Sequence, residues 1–373
     1  MMNMLLDVAE QQQAYAVKPV SQADILTPEE INRAQPLPAG AEGFIARSRK
    51  SIKNILDGSD HRLFIVVGPC SIHDPKAALE YATRLKELAY ELGDSFYMVM
   101  RVYFEKPRTS VGWKGLINDP YLDGSCRLNE GLAIARQLLI DITRLNLPIA
   151  TEALDPLSTR YIQDLITWTA IGARTTESQT HRELASGLPS PVGFKNGTDG
   201  NLHVAVNAIR ASEQAHCFLG INHEGRVSVM RTPGNKDTHI VLRGGAGKPN
   251  YDAAHVALCE KLFFQQKLKP RIMIDCSHVN AQNDYRNQLR LLEDVSGQIL
   301  AGNQSIRALM LESNLYAGSQ PLTAGRSALR YGVSVTDQCI GWEETEKHLR
   351  KMYVKLRRVL HGRKIRGESP AGQ

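Results

Sequence analysis

Eight short runs of β-prone residues, most of them separated by amphipathic helical stretches, dominate the chain after Ser48. They fall at 63–69, 96–104, 147–151, 167–172, 191–194, 239–242, 271–275 and 308–311. Strands that alternate with helices pair in parallel, and eight is the number that closes a (β/α)8 TIM barrel. The first helix is plainly marked. Asp74 caps it, Pro75 suits its first position and Gly93 ends it. Between them Ala78, Ala82, Leu85, Ala89 and Leu92 share one face at helical spacing. An open doubly wound sheet is the competitor, but no dinucleotide-type glycine-rich turn follows the first run. The expected fold class is therefore α/β, as a barrel.

Two additions interrupt the alternation. Residues 1–45 are glutamine-rich and punctuated by proline, and read as an N-terminal extension with a short helix begun by Thr27 and Pro28. The stretch 217–235 alternates like a β-hairpin around Glu224 and Gly225, and falls between the fifth and sixth barrel strands. The barrel is assigned to residues 46–362, with 363–373 as a disordered tail.

Composition excludes several classes. No apolar run approaches the roughly 20 residues that span a membrane, and Met1 to Gln13 does not read as a signal peptide. The six cysteines, at 70, 126, 217, 259, 276 and 339, are too scattered for a disulfide framework in such a chain. A cytoplasmic location is expected. The basic run at 351–367 lacks interleaved aromatics and any nucleic-acid motif, so it reads as a solvated helix face.

Chemistry in such barrels collects at the C-terminal ends of the strands. Those positions hold Cys70, Arg101, Glu152, Arg174, Lys195, Arg243, His278 and Glu312. The cations Arg101, Arg174, Lys195 and Arg243, joined by Lys106, Arg108 and Lys114 of "FEKPRTSVGWKG", suit phosphates and carboxylates. The competing account pairs each with a nearby acid in a surface network. A second group, Cys70, His278 and Glu312 with Asp337, offers a donor set for a divalent metal ion, with Zn, Mn, Fe and Co left open. Cys70 as a nucleophile is the rival, although no nearby residue identifies itself as its base.

The motifs "GPCSIHDP", "MRVYFEKPRTSVGWKGLINDP", "WTAIGARTTESQTHRELASGL", "PVGFKNGTDG", "HIVLRGG", "MIDCSH" and "SVTDQCIGWE" together resemble the class I, feedback-regulated 3-deoxy-D-arabino-heptulosonate 7-phosphate (DAHP) synthases, over roughly residues 45–350. The resemblance implies condensation of phosphoenolpyruvate with erythrose 4-phosphate, the first step of the shikimate pathway. It implies Cys70, His278, Glu312 and Asp337 as metal ligands. It implies Arg101, Lys114, Ala173, Arg174, Lys195 and Arg243 around phosphoenolpyruvate, and Lys106, Pro107, Arg108 and Thr109 around erythrose 4-phosphate. Lys106 is expected to protonate the nascent alkoxide, and Glu152 and His278 both remain open as activators of the attacking water. A homodimer or homotetramer inhibited by an aromatic amino acid is implied too, with tyrosine first among the three. Pro189 stands where many relatives have serine, close to the expected inhibitor pocket. Two alternatives stay in play: a silent barrel that senses an aromatic amino acid or activates a partner, and the sister synthase using arabinose 5-phosphate. The stretch "KPRTS" at 106–110 favours the four-carbon aldose.

Overall fold

A computed structural model describes residues 23–107, 112–322 and 328–363. Each apolar run becomes a parallel strand: β1 (Leu63–Gly68), β2 (Phe96–Arg101), β3 (Ile149–Glu152), β4 (Trp168–Ile171), β5 (Val192–Lys195), β8 (Thr238–Leu242), β9 (Ile272–Asp275) and β10 (Ile306–Asn314). They pair in that order, and β10 closes back on β1 with Phe64 opposite Ala308 and Gly68 opposite Glu312. The sheet is a closed eight-stranded barrel. A two-residue strand, β11 (Ile340–Gly341), pairs in parallel with the last residues of β10, Ser313 and Asn314, and was not expected from sequence.

All six residues of β1 are buried, because both faces of a barrel strand are covered. Phe64 and Val66 turn inward with Val99, Ala150, Trp168, Val241, Met273 and Met310, while Leu63, Ile65 and Val67 pack outward against the helices. Inside, the indole N–H of Trp168 donates to His239 Nε2 at 2.9 Å. Burial pushes the His239 pKa down to about 3, so a neutral ring accepts that proton. Gly193 is needed opposite, where a Cβ would stand 2.4 Å from the Trp168 ring.

Helices α1 (Pro28–Ala34) and α2 (Ala41–Asp57) precede the barrel. Thr27 and Glu30 form a reciprocal capping box at the start of α1. Helix α2 places Ile52, Ile55 and Leu56 in the interior cluster, stoppering the end of the barrel where the strands begin. The division expected at residue 45 therefore falls inside a continuous helix. Arg363, assigned to the tail, is buried; the remainder, 364–373, lies outside the described residues.

The outer helices are α3 (Pro75–Glu91), α4 (Leu128–Arg144), α5 (Gln179–Gly187), α6 (Leu202–Ser212), α7 (Ala253–Gln265), α8 (Asn287–Leu300) and α9 (Trp342–His361). Asp74 caps α3 as expected, but the helix closes through Leu92, one residue before Gly93. Between β3 and β4 the helix shrinks to a single 3-10 turn, Ser158–Tyr161. Three basic residues of α9 pair with neighbours, Arg350 with Glu91 and Lys351 and Lys355 with Glu293. No helix among the described residues is long and apolar enough to cross a membrane.

The insertion is a two-stranded antiparallel hairpin, β6 (His216–Ile221) and β7 (Val227–Thr232). Gly225 at its tip has φ +75°, a left-handed conformation that glycine adopts without strain.

Candidate active site

At the C-terminal end of the strands the chain encloses a cavity of about 520 Å3, lined by Arg101, Lys106, Pro107, Glu152, Gly172, Ala173, Arg174, Lys195, Arg243, His278, Glu312 and Asp337 among others. Cys70 is fully buried beneath it. Lys114 is exposed and does not line the cavity; its carbonyl instead accepts from the Lys106 amide at 2.9 Å. Arg108 and Thr109 lie outside the described residues.

The cations and the metal-type donors, distinct in the sequence, interleave in space. Arg101 is 1% exposed and its Nη2 donates to Glu312 Oε1 at 2.9 Å and to the Cys70 carbonyl at 3.2 Å. Lys106 Nζ sits 2.9 Å from Cys70 Sγ and 2.7 Å from Asp337 Oδ2. Lys195 pairs with Asp275 at 3.0 Å. Individual pairing with a nearby acid is thus true of these three cations. It fails for Arg174 and Arg243, which have no ion-pair partner among the described residues. Burial pushes the Arg243 pKa below the ordinary arginine value, with Arg174 acting in the same direction. Asp275 opposes that shift from a distance, but two guanidiniums facing one cavity without a direct ion-pair partner make an anion site.

Cys70, Glu312 and Asp337 bring one donor atom each within 4.8 Å of one another. His278 stands beside this trio rather than within it. Its Nε2 is 3.7 Å from Glu312 Oε1, while Nδ1 faces Asp275 at 3.2 Å and Ser277 Oγ at 2.7 Å. The backbone at His278 is left-handed, φ +56°, which is uncommon outside glycine and turns the ring toward the seam between β9 and β10. The donor set is already arranged around a positive charge, the Lys106 ammonium. Burial would raise the Asp337 pKa, but that ammonium outweighs it and holds the carboxyl below its usual range. Burial and the Glu312 charge push the Cys70 thiol up to about 11. A soft thiolate with hard carboxylates suits a divalent transition metal, and these residues fit one.

Asp275 closes β9 and was missed from sequence. Burial would raise its pKa, yet Lys195, His278 and Ser277 hold it well below the usual carboxylate range. Its signal was an acid ending the apolar run "IMID", overlooked because His278 had already claimed that strand end. Glu105, beside Lys106, was also missed. It is buried, and burial, Asp155 and Glu152 push its pKa up to about 7.

A closed barrel with a cation-lined mouth and a three-ligand metal candidate defines a (β/α)8-barrel enzyme acting on anionic substrates. The chain belongs to the DAHP synthetase I family, whose model matches residues 35–350. It is 57% identical over 339 residues to the Tyr-sensitive phospho-2-dehydro-3-deoxyheptonate aldolase of Escherichia coli (strain K12), covering 91% of this chain and 95% of that one. The Phe-sensitive enzyme of the same strain is 51% identical over 337 residues, covering 90% and 96%. A solved phospho-2-dehydro-3-deoxyheptonate aldolase from Francisella tularensis SCHU S4 superposes with a TM-score of 0.88 at 45% identity, covering 93% of this chain and 100% of that one.

Proposed function

We propose that this cavity joins phosphoenolpyruvate to erythrose 4-phosphate and water, releasing DAHP and phosphate. The observation that carries the assignment of sides is the unpaired couple Arg174 and Arg243, next to Lys195, in one wall of the cavity. Phosphoenolpyruvate brings a carboxylate and a phosphate, and preorganised guanidiniums bind and orient both without rearranging. Arg101 lies at the floor and Ala173 lines the wall beside Arg174, while Lys114 does not line the cavity and joins the site only through its carbonyl, which accepts from the Lys106 amide. Lys106 and Pro107, continuing into Arg108 and Thr109, hold the aldose phosphate.

Carbon 3 of phosphoenolpyruvate attacks the aldehyde carbon, and the Lys106 ammonium gives its proton to the alkoxide that forms. Water adds at carbon 2, and phosphate then leaves from that carbon. Glu152 is our first choice to take the proton of the water, with His278 through its Nε2 as the second. Glu152 Oε1 is buried without a hydrogen-bond partner among the described residues, whereas His278 Nδ1 is already engaged. A divalent ion held by Cys70, Glu312 and Asp337, with His278 beside them, would supply Lewis-acid polarisation at the same place. Mn, Fe, Co and Zn all suit the donor set.

The test is turnover of the two substrates with and without each aromatic amino acid. Product formation inhibited by one of them is expected, and tyrosine is the first choice because the 57% identical relative is Tyr-sensitive. Consumption of arabinose 5-phosphate in preference, or no product at all, would overturn the assignment. All six cysteines are unpaired, which fits a cytoplasmic location.

The hairpin supports a homo-oligomer. Leu219, Val227 and Val229 share one face and are 78%, 78% and 61% exposed. An apolar face of this kind marks a protein contact. Sedimentation should show a dimer or tetramer that Leu219→Lys with Val229→Lys weakens; a wild-type monomer at micromolar concentration would refute it.

A further inference from the structure

Strand β9 stops short of its neighbour β10. The last pair between them is Asp275 with Met310, and the Cys276 amide donates to the Met310 carbonyl at 2.9 Å as the chain leaves the sheet. Backbone groups along a strand face alternate sides. Those of Glu312, two residues beyond Met310, therefore point the same way, into a position that β9 no longer fills. A buried amide and carbonyl left without partners there are costly.

Gln288 fills that position. Its Oε1 accepts from the Glu312 amide at 2.9 Å, and its Nε2 donates to the Glu312 carbonyl at 3.1 Å. The residue is fully buried, stands second in α8 and lines the cavity. Glutamine suits the task because its amide carries an acceptor and a donor side by side, as a backbone peptide does. Asparagine is a methylene shorter, and ionised glutamate has no donor. Methionine, of similar length, offers no donor and only a weak acceptor. Asn280 does a related job next door, where its Nδ2 donates to the carbonyls of Leu242 and Asp275 at 3.0 and 2.9 Å. Gln288 differs in gripping a residue whose side chain carries chemistry.

The Glu312 carboxylate accepts from Arg101 at 2.9 Å and gives one of the three donor atoms that lie within 4.8 Å of one another. Gly68 of β1 pairs with Glu312 on its opposite side. The strand and the side-chain amide thus grip the backbone from which that carboxylate is aimed. We propose that Gln288 is the positioning residue for Glu312, its amide taking the place of a strand residue and keeping the carboxylate in register with Cys70 and Asp337 for a divalent ion. The proposal rests on the reading of those three residues as metal donors. Groups that orient metal ligands from behind commonly contribute about 10–100-fold in metal affinity.

The full chain, stripped of metal and titrated with Co2+, tests it, with the cobalt–thiolate absorbance reporting the ion on Cys70. Gln288→Met should weaken Co2+ binding about 10–100-fold. In the same variant, hydrogen exchange at the Glu312 amide should quicken about tenfold relative to the Cys276 amide, whose bond to Met310 is untouched. Ile299→Ala, a cavity at the far end of the same helix, should lower the melting temperature and leave Co2+ affinity within about twofold. Gln288→Glu keeps the acceptor, so the Glu312 amide should exchange within about threefold of wild type, and this variant decides if Gln288→Met fails to fold. Unchanged Co2+ affinity in Gln288→Met, or equal losses in Gln288→Met and Ile299→Ala, would overturn the positioning role. If wild type bound no Co2+, the metal reading would fall, and exchange at Glu312 alone would decide whether Gln288 holds the strand.

Discussion

Cys70→Ala is expected to lower turnover at least about a thousandfold and to abolish tight metal retention while the barrel stays folded. The thiol is fully buried, and its sulfur is one of the three donor atoms that lie within 4.8 Å of one another at the mouth, with His278 beside them. A buried thiol whose proton is held up to about 11 becomes a thiolate only beside a strong positive charge. The site offers that thiolate an ion or the Lys106 ammonium, and little else. Alanine leaves Glu312 and Asp337, with Glu312 already shared with Arg101. A positioned Lewis acid supplies several kcal/mol of transition-state stabilisation, and each 1.36 kcal/mol is tenfold in rate. The measurement pairs turnover during metal titration with metal content after dialysis and a thermal melt. Full activity of the variant in metal-stripped buffer would remove Cys70 from the ligand set.

The barrel was legible because its strands are buried on both faces. Runs such as "LFIVVG" are then apolar throughout and end sharply, so their positions survive without any knowledge of the partners. Where a strand carries buried polar residues the signal fails. β10 was expected over 308–311 but spans Ile306–Asn314, because Arg307, Glu312, Ser313 and Asn314 are buried within it. The hairpin was readable from its alternation, yet its contact with the extension was not, since it joins Glu29 to His223 across the fold.

The site was legible as a set of residue types at strand ends, less so as pairs. Periodicity says which side chains point to the mouth, but a lysine or arginine reaches several ångströms from its own Cα. Its partner is therefore fixed by neighbouring strands. Arg101 joined Glu312 from β10, Lys106 joined Asp337 from the loop after it, and Lys195 joined Asp275 from β9. Taking one residue per strand end hid Asp275 behind His278. It also hid Glu105 behind Lys106, although an acid next to "KPRT" in an apolar run is itself a signal of a buried carboxyl.

That distinction between paired and unpaired cations gives the last expected result. Arg174→Ala and Lys195→Ala should both weaken phosphoenolpyruvate, but only the second should destabilise the fold. Arg174 is exposed in the cavity and has no ion-pair partner to strand, so its removal leaves the protein's own charges satisfied. Losing a charged contact to a desolvated anion costs about 2–5 kcal/mol, or roughly 30-fold and upward in affinity. Lys195 is 4% exposed and faces Asp275, which is fully buried. Its loss leaves a buried carboxylate in the barrel mouth without its direct lysine partner, near Arg243 and Arg101 but ion-paired to neither, and breaking one side of a buried pair commonly costs about 3–5 kcal/mol of stability. Calorimetric binding of phosphoenolpyruvate and thermal melts on the two variants separate these effects. Arg174→Ala should melt with wild type and bind weakly, while Lys195→Ala should melt early. Unchanged phosphoenolpyruvate affinity in Arg174→Ala would take the unpaired guanidinium out of the substrate site, and a wild-type melt for Lys195→Ala would mean that Asp275 finds its counter-charge elsewhere.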